Sequence, residues 1–127
     1  MIGGTGRIGT AVAAHLLSHA SKGTALNVVL AGRSEDKGAT ALDQVQGASG
    51  GAEALADRGH ALAFQKLDYK DPDALERVLV GGVQGGFDAC VHTAGPFFDG
   101  PGVLRSCIKT GTKVLMPSPQ TFKRALR

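Results

Sequence analysis

The tightest constraint on this chain lies in its first nine residues, where Gly3-Gly4-Thr5-Gly6-Arg7-Ile8-Gly9 runs straight into a helical pattern. Read from Gly3 the spacing is G-x-x-G-x-x-G; read from Gly4 it is G-x-G-x-x-G. Glycines at these intervals let the backbone turn tightly, approach a bound group closely, and let the next helix pack against a sheet. A helix that opens this way offers free N–H groups and the positive end of its dipole to an anion, a pyrophosphate above all. The same glycines also serve ordinary loops, so the residues downstream must decide between the two. A turn of this kind predicts a buried strand before it, yet only Met1 and Ile2 precede Gly3. The expectation is a sheet whose first strand is largely missing, in a chain shortened at its N-terminus.

Ala11, Val12 and Leu16 recur with Ile8 at helical spacing and predict a helix from about Arg7 to Ala20. Ala25 to Leu30 is short and rich in branched residues, as in a buried strand, and Ala31-Gly32-Arg33-Ser34 closes it. Ser34 is the expected N-cap of a second helix, with Glu35 and Asp36 in its first turn and Ala39, Leu42 and Val45 as its apolar positions. Gly47 to Gly51 predicts a break, and Ala52 to Arg58 a short helix. A strand is expected over Ala61–Leu67, with Asp68 just past its end. Asp71-Pro72 then starts a helix with Leu75, Val78 and Leu79 facing inward, stopped by Gly81-Gly82. Phe87 to Thr93 predicts another strand; Val103, Leu104, Cys107 and Ile108 mark a helix ended by Gly111; Lys113 to Met116 is a last short strand before Pro117.

Alternating helices and strands with short connections argue for an α/β fold, a doubly wound parallel sheet with right-handed crossovers. Ligands of such sheets bind at the carboxyl ends of the strands. At 127 residues the chain allows one domain, expected over 1–117, with a short basic tail at 118–127. Its 43% hydrophobic content suffices for a packed core, and a net charge of +3 without an aromatic-rich basic cluster argues against nucleic acid. No apolar run reaches membrane-spanning length and no signal peptide precedes the glycine turn, so a soluble intracellular protein, cytoplasmic or stromal, is expected. Cys90 and Cys107 fall within apolar patterns and read as buried reduced thiols.

The strand ends carry the chemistry. Where an acid would hold the ribose hydroxyls of NAD, this chain has Arg33 and Ser34. A guanidinium with a neighbouring hydroxyl suits a 2′-phosphate, which favours NADP over NAD; the plain alternative is a surface arginine beside a helix cap. Asp68 is placed to reach an adenine amino group, or serves as a turn acid. Thr93-Ala94-Gly95 comes after a central strand, where small residues admit the cofactor's ribose and nicotinamide, or simply form a tight turn. Arg7 stands where it touches a phosphate or only solvent.

Taken together, Gly3 to Gly9, Ala31-Gly32-Arg33-Ser34, Leu67-Asp68 and Ala94-Gly95-Pro96-Phe97 resemble the NADP-binding domain of the saccharopine dehydrogenase family. Gly102, Val103, Leu104 and Cys107, then Gly111-Thr112, continue the resemblance to about Thr112. It implies a Rossmann-like cofactor domain of an oxidoreductase, with cofactor contacts at Gly3, Gly4, Thr5, Gly6, Arg7, Ile8, Gly9, Arg33, Ser34, Asp68, Thr93, Ala94 and Gly95. In the family a separate substrate domain comes next; here Lys113 to Pro119 departs from the family pattern and the family's substrate-binding residues have no counterparts.

The remaining constellations are poorer. His15 and His19 lie one helical turn apart without the glutamate of an H-E-x-x-H frame, and Tyr69-Lys70 are adjacent where short-chain dehydrogenase chemistry needs a lysine four residues on. No metal site and no catalytic residue is expected. The leading expectation is an NADP-binding domain that lacks its substrate domain and is not competent alone, with a homo-oligomer or a substrate domain as partner. Its rivals are a non-catalytic NADP-binding sensor or subunit, and an inactive fragment.

Overall fold

A computed structural model describes residues 1–81, 85–95 and 101–116. In chain order the elements are α1 (Arg7–His19), β1 (Asn27–Gly32), α2 (Glu35–Ala48), α3 (Ala52–Asp57), β2 (Ala61–Lys66), α4 (Pro72–Gly81), β3 (Ala89–Val91), α5 (Gly102–Thr110) and β4 (Lys113–Leu115). The basic tail, Pro96-Phe97 and Gly82 lie outside the described residues.

All strand pairing among the described residues is parallel. β1 pairs with β2 from Asn27↔Ala61 to Gly32↔Lys66, and β3 pairs with β4 from Ala89↔Lys113 to Val91↔Leu115. Ile2 joins the two pairs, bridging Ala31 on one side and His92 on the other. The Ile2 N–H donates to Val91 O at 2.8 Å, Ala31 N–H to Met1 O at 2.9 Å, and Thr93 N–H to Ile2 O at 2.8 Å. The order is therefore β2-β1-(Met1–Ile2)-β3-β4, with the expected first strand present as two residues at the centre of the sheet. Beside them, between Val29 and Ala89, an apolar cavity of about 30 Å³ is lined by Met1, Leu79, Phe87 and Cys90.

Successive strand residues face opposite sides, and here they enter two different cores. Leu30 packs with Ala13 and Leu17 of α1, Ala41 and Val45 of α2, and Leu55 of α3. Ala31 packs with Ile2, Leu67, Leu75 and Leu79 of α4, and Cys107 of α5. Helices thus cover both faces, as a doubly wound sheet requires.

The helix starts agree with the residues that predicted them. Lys37 N–H donates to Ser34 Oγ at 3.3 Å, and Asp71 Oδ1 accepts from Asp73 and Ala74 N–H at 3.1 and 3.2 Å. Gly111 ends α5 in the left-handed conformation at φ 72°. Three helix faces differ from expectation. α1 buries Gly9, Ala13 and Leu17, leaving Ile8 and Leu16 about two-fifths exposed. α2 buries Gly38 and Ala41 rather than Ala39, and Ile108 of α5 is 70% exposed. β1 also runs on through Ala31-Gly32, and the strand expected over Phe87–Thr93 is only Ala89–Val91.

Candidate functional site

The glycine turn is held by contacts that admit no side chain. Gly3 has φ +75°, and a Cβ there would lie 2.5 Å from Ala94 N. A Cβ on Gly9 would fall on Gly3 O and 2.6 Å from Gly4 Cα; one on Gly4 would lie 3.0 Å from Leu30 Cα. Gly6 N–H donates to Gly3 O at 3.0 Å, and Thr10 N–H to Gly6 O at 2.9 Å, so the turn passes directly into α1. Unlike α2 and α4, α1 has no side-chain cap and no acid in its first turn. Its leading N–H groups have no side-chain cap, and the positive end of the helix dipole lies behind them.

Two other strand ends meet this turn. Thr93 Oγ1 donates to Ile2 O at 2.9 Å, which fixes Thr93-Ala94-Gly95 against Gly3. A Cβ on Gly32 would lie 3.0 Å from Thr5 Oγ1, so the turn also packs on the end of β1. Thr5, Gly6, Ile8 and Gly9 belong to the same bend and the helix it opens, and Arg7 is exposed at its rim. The turn and Thr93–Gly95 therefore form one surface at the carboxyl ends of the central strands.

Arg33, Ser34 and Asp68 lie to the side of it. Arg33 is exposed immediately after β1, while Ser34 is half-buried and its hydroxyl caps α2. Asp68 Oδ1 accepts from Lys70 N–H at 3.1 Å, so its turn role is realised, and the side chain also lines an open groove of about 570 Å³. Arg33 and Lys66 border this groove with Asp68, over Leu67. Its far wall is a stripe of α4, Ala74, Arg77 and Val78. The sequence reading missed Lys66 and Arg77. Tertiary structure brings them here: Lys66 pairs with Gly32 beside Arg33, and Arg77 shares a helical stripe with Ala74 and Val78.

The buried titratable groups lie beneath this surface and serve packing. Burial, with Cys107 adding to it, pushes the Cys90 thiol up to about 12, and burial also raises Cys107. Neither thiol is a nucleophile at neutral pH. His92 is held below its ordinary range by burial and meets Tyr69 edge-on at 5.5 Å. His15 and His19 stack at 4.1 Å, and among the described residues no three metal-ligating side chains converge. Among those residues, too, no helix is long and apolar enough to cross a membrane.

Comparison with known proteins agrees with this geometry. The chain is similar to a short-chain type dehydrogenase/reductase from Mycobacterium ulcerans, at 30% identity and a TM-score of 0.54. That likeness covers 75% of this chain but 31% of the other, so the chain spans about a third of that protein's length. No curated protein matches. The family model of the saccharopine dehydrogenase NADP binding domain matches residues 1–124, and its cofactor fits a cradle in which Gly3 and Gly9 leave no room for a Cβ. With nearly its whole length so matched, the chain belongs to the family of saccharopine dehydrogenase NADP-binding domains.

Proposed function

We propose that this chain is the cofactor-holding part of a saccharopine dehydrogenase-like oxidoreductase, and that it takes NADP(H) in preference to NAD(H). The observation that carries this is the bend at Gly3–Gly9, close-packed against Ala94 and opening an α1 that no side chain caps. In the proposal the pyrophosphate lies on the N–H groups that open α1. Thr93, Ala94 and Gly95 border the nicotinamide ribose, and Asp68 accepts from the adenine amino group. Arg33, with Ser34 beside it, meets the 2′-phosphate as a charge-assisted partner. The bound cofactor supplies the hydride; the protein orients it and keeps the approach to its nicotinamide narrow.

Substrate placement falls, in this reading, to a further domain or partner. Tyr69, the one tyrosine of the chain, meets His92 edge-on and has no lysine four residues after it. That observation favours a cofactor-binding unit over an enzyme complete in itself.

Calorimetric titration of the folded chain with NADPH and NADH tests the proposal. Saturable binding with NADPH the tighter ligand is expected, and Arg33→Ala should bring the two constants together. A folded sample that gives no binding heat with either cofactor overturns it.

A further inference from the structure

The groove beside the glycine bend holds more positive charge than one phosphate needs. Among the described residues, Arg33, Lys66 and Arg77 all border it, and none of their charged side-chain groups has a hydrogen-bond or ion-pair partner. Glu76, the acid next to Arg77 on α4, is already engaged by Lys109 at 2.7 Å and by Ser106 at 3.4 Å. The three cations do not occupy equivalent places. Gly32 pairs with Lys66, so Arg33 and Lys66 stand together at the strand ends. Arg77 stands across the groove on α4, and the apolar atoms of Leu67, Ala74 and Val78 lie between.

A ligand spanning that groove must put something flat and apolar on this floor. It must offer a donor at its edge to Asp68, and present an electron-rich face to a guanidinium. An adenine ring meets all three requirements, whereas a second phosphate would be set against apolar atoms. We propose that Arg77 clamps the adenine of the dinucleotide, stacking its guanidinium on the ring face away from the Leu67–Val78 floor. This rests on the dinucleotide reading under Proposed function and gives the two arginines separate tasks. Arg33 discriminates the 2′-phosphate; Arg77 holds the base common to both cofactors. Cation–π stacking of a guanidinium over an aromatic face corresponds to about three- to thirtyfold in affinity. It survives salt far better than an exposed charge acting at a distance.

The test is titration of the full chain with NADPH and NADH, at low and at high salt, for wild type, Arg77→Ala and Arg77→Met. Arg77 is exposed, so both variants should fold, and the methionine keeps most of the apolar stem while removing the charge. Both variants are expected to weaken NADPH and NADH by the same factor, with the NADPH:NADH ratio of wild type and with the loss kept at high salt. Unchanged constants overturn the clamp. So does a collapsed NADPH:NADH ratio, which makes Arg77 a phosphate ligand, and so does a loss that vanishes in salt, which makes it a steering charge. Wild-type chain that binds neither dinucleotide overturns the underlying reading and the clamp together, whereas binding that Arg77→Ala leaves untouched overturns the clamp alone.

Discussion

At the scale of single residues, Gly9 and Gly47 separate what a glycine does for the site from what it does for a helix. Both are helical, and alanine normally stabilises such a position by roughly 0.5–1 kcal/mol. At Gly47 nothing lies within 4 Å of the added Cβ, so Gly47→Ala should raise the melting temperature slightly. At Gly9 the Cβ meets Gly3 O and Gly4 Cα, backbone atoms that move only if the bend moves. Overpacking of this kind costs about 1–3 kcal/mol, which exceeds the helical gain. Gly9→Ala is therefore expected to lower stability and to weaken NADPH at least about tenfold by displacing the N–H groups that face phosphate. Equal melting temperatures and equal NADPH constants for the two variants would contradict the cradle. The buried ionisable groups set a second prediction at this scale. Below the ordinary histidine value of 6.5 the unfolded chain takes up a proton that folded His92 resists, so stability falls as pH drops. Above 9.0 the unfolded chain releases the Cys90 proton that the folded chain keeps to about 12, so stability falls as pH rises. The buried Met1 amino group adds to the loss below its ordinary value of 8.0. Urea unfolding across pH should show stability falling on both sides of a maximum, and Cys90→Ala should flatten the alkaline side.

At the scale of elements, the helix and strand positions were largely legible, and the helix faces less so. The Asp71-Pro72 start, the Ser34 cap and the Gly111 stop are local chemistry, readable from a few residues. The inward face of α1 is not local. Ranking by hydrophobicity points Ile8 and Leu16 inward, but the helix must lie close on the glycine bend, and only Gly9 and Ala13 are small enough there. The same demand explains α2, where Gly38 sits against the Phe64 ring at a distance that a Cβ would close to 2.6 Å. The groove around Arg77 was unreadable for a related reason, since it depends on where α4 lies against the end of β2. Nor did the sequence reading single out Arg58. Its guanidinium donates to Leu17 O at 3.1 Å and Ser49 O at 2.7 Å, tying together the C-terminal ends of α1 and α2. A cation placed on the last carbonyls also meets the negative ends of their dipoles. Arg58→Ala is expected to cost about 1–2 kcal/mol. Arg58→Lys should recover only part of it, because an ammonium lacks the planar fork whose two nitrogens reach the two carbonyls separately. Chemical denaturation of the three proteins checks this; a full rescue by lysine would reduce the role to charge alone.

At the scale of the whole molecule, two strand pairs meet through the two residues Met1–Ile2. Ile2 is 3% exposed and bridges Ala31 and His92, its own backbone bonded to Val91 and Thr93 while Met1 O accepts from Ala31 N–H. Leu55, 4% exposed, is as deeply buried but belongs to the outer core beneath α3. Truncating either to alanine removes a comparable side chain, nominally about 2–5 kcal/mol. The consequences should differ, because the loss at Leu55 loosens one layer whereas the loss at Ile2 loosens the packing that holds the backbone joint between the halves. Beside Ile2 the sheet has a small apolar cavity, and on the β1 side the link rests on Met1, whose carbonyl accepts from Ala31 N–H and whose amino group donates to Val29 O. Ile2→Ala is thus expected to broaden the thermal transition as well as lower it, while Leu55→Ala keeps its sharpness. Cofactor should act on the same joint. The glycine bend touches β1 through Thr5 and Gly32, and the chain after β3 through Gly3 and Ala94. A ligand held by that bend stabilises only the joined state. At a hundred times its dissociation constant it contributes about 2.7 kcal/mol, a large share of a stability typically about 5–15 kcal/mol. Saturating NADPH should therefore resharpen the Ile2→Ala transition as well as raise it, and merely raise that of Leu55→Ala. Melts in which NADPH shifts both variants alike, with Ile2→Ala as sharp as Leu55→Ala, would place the link between the halves somewhere other than Ile2.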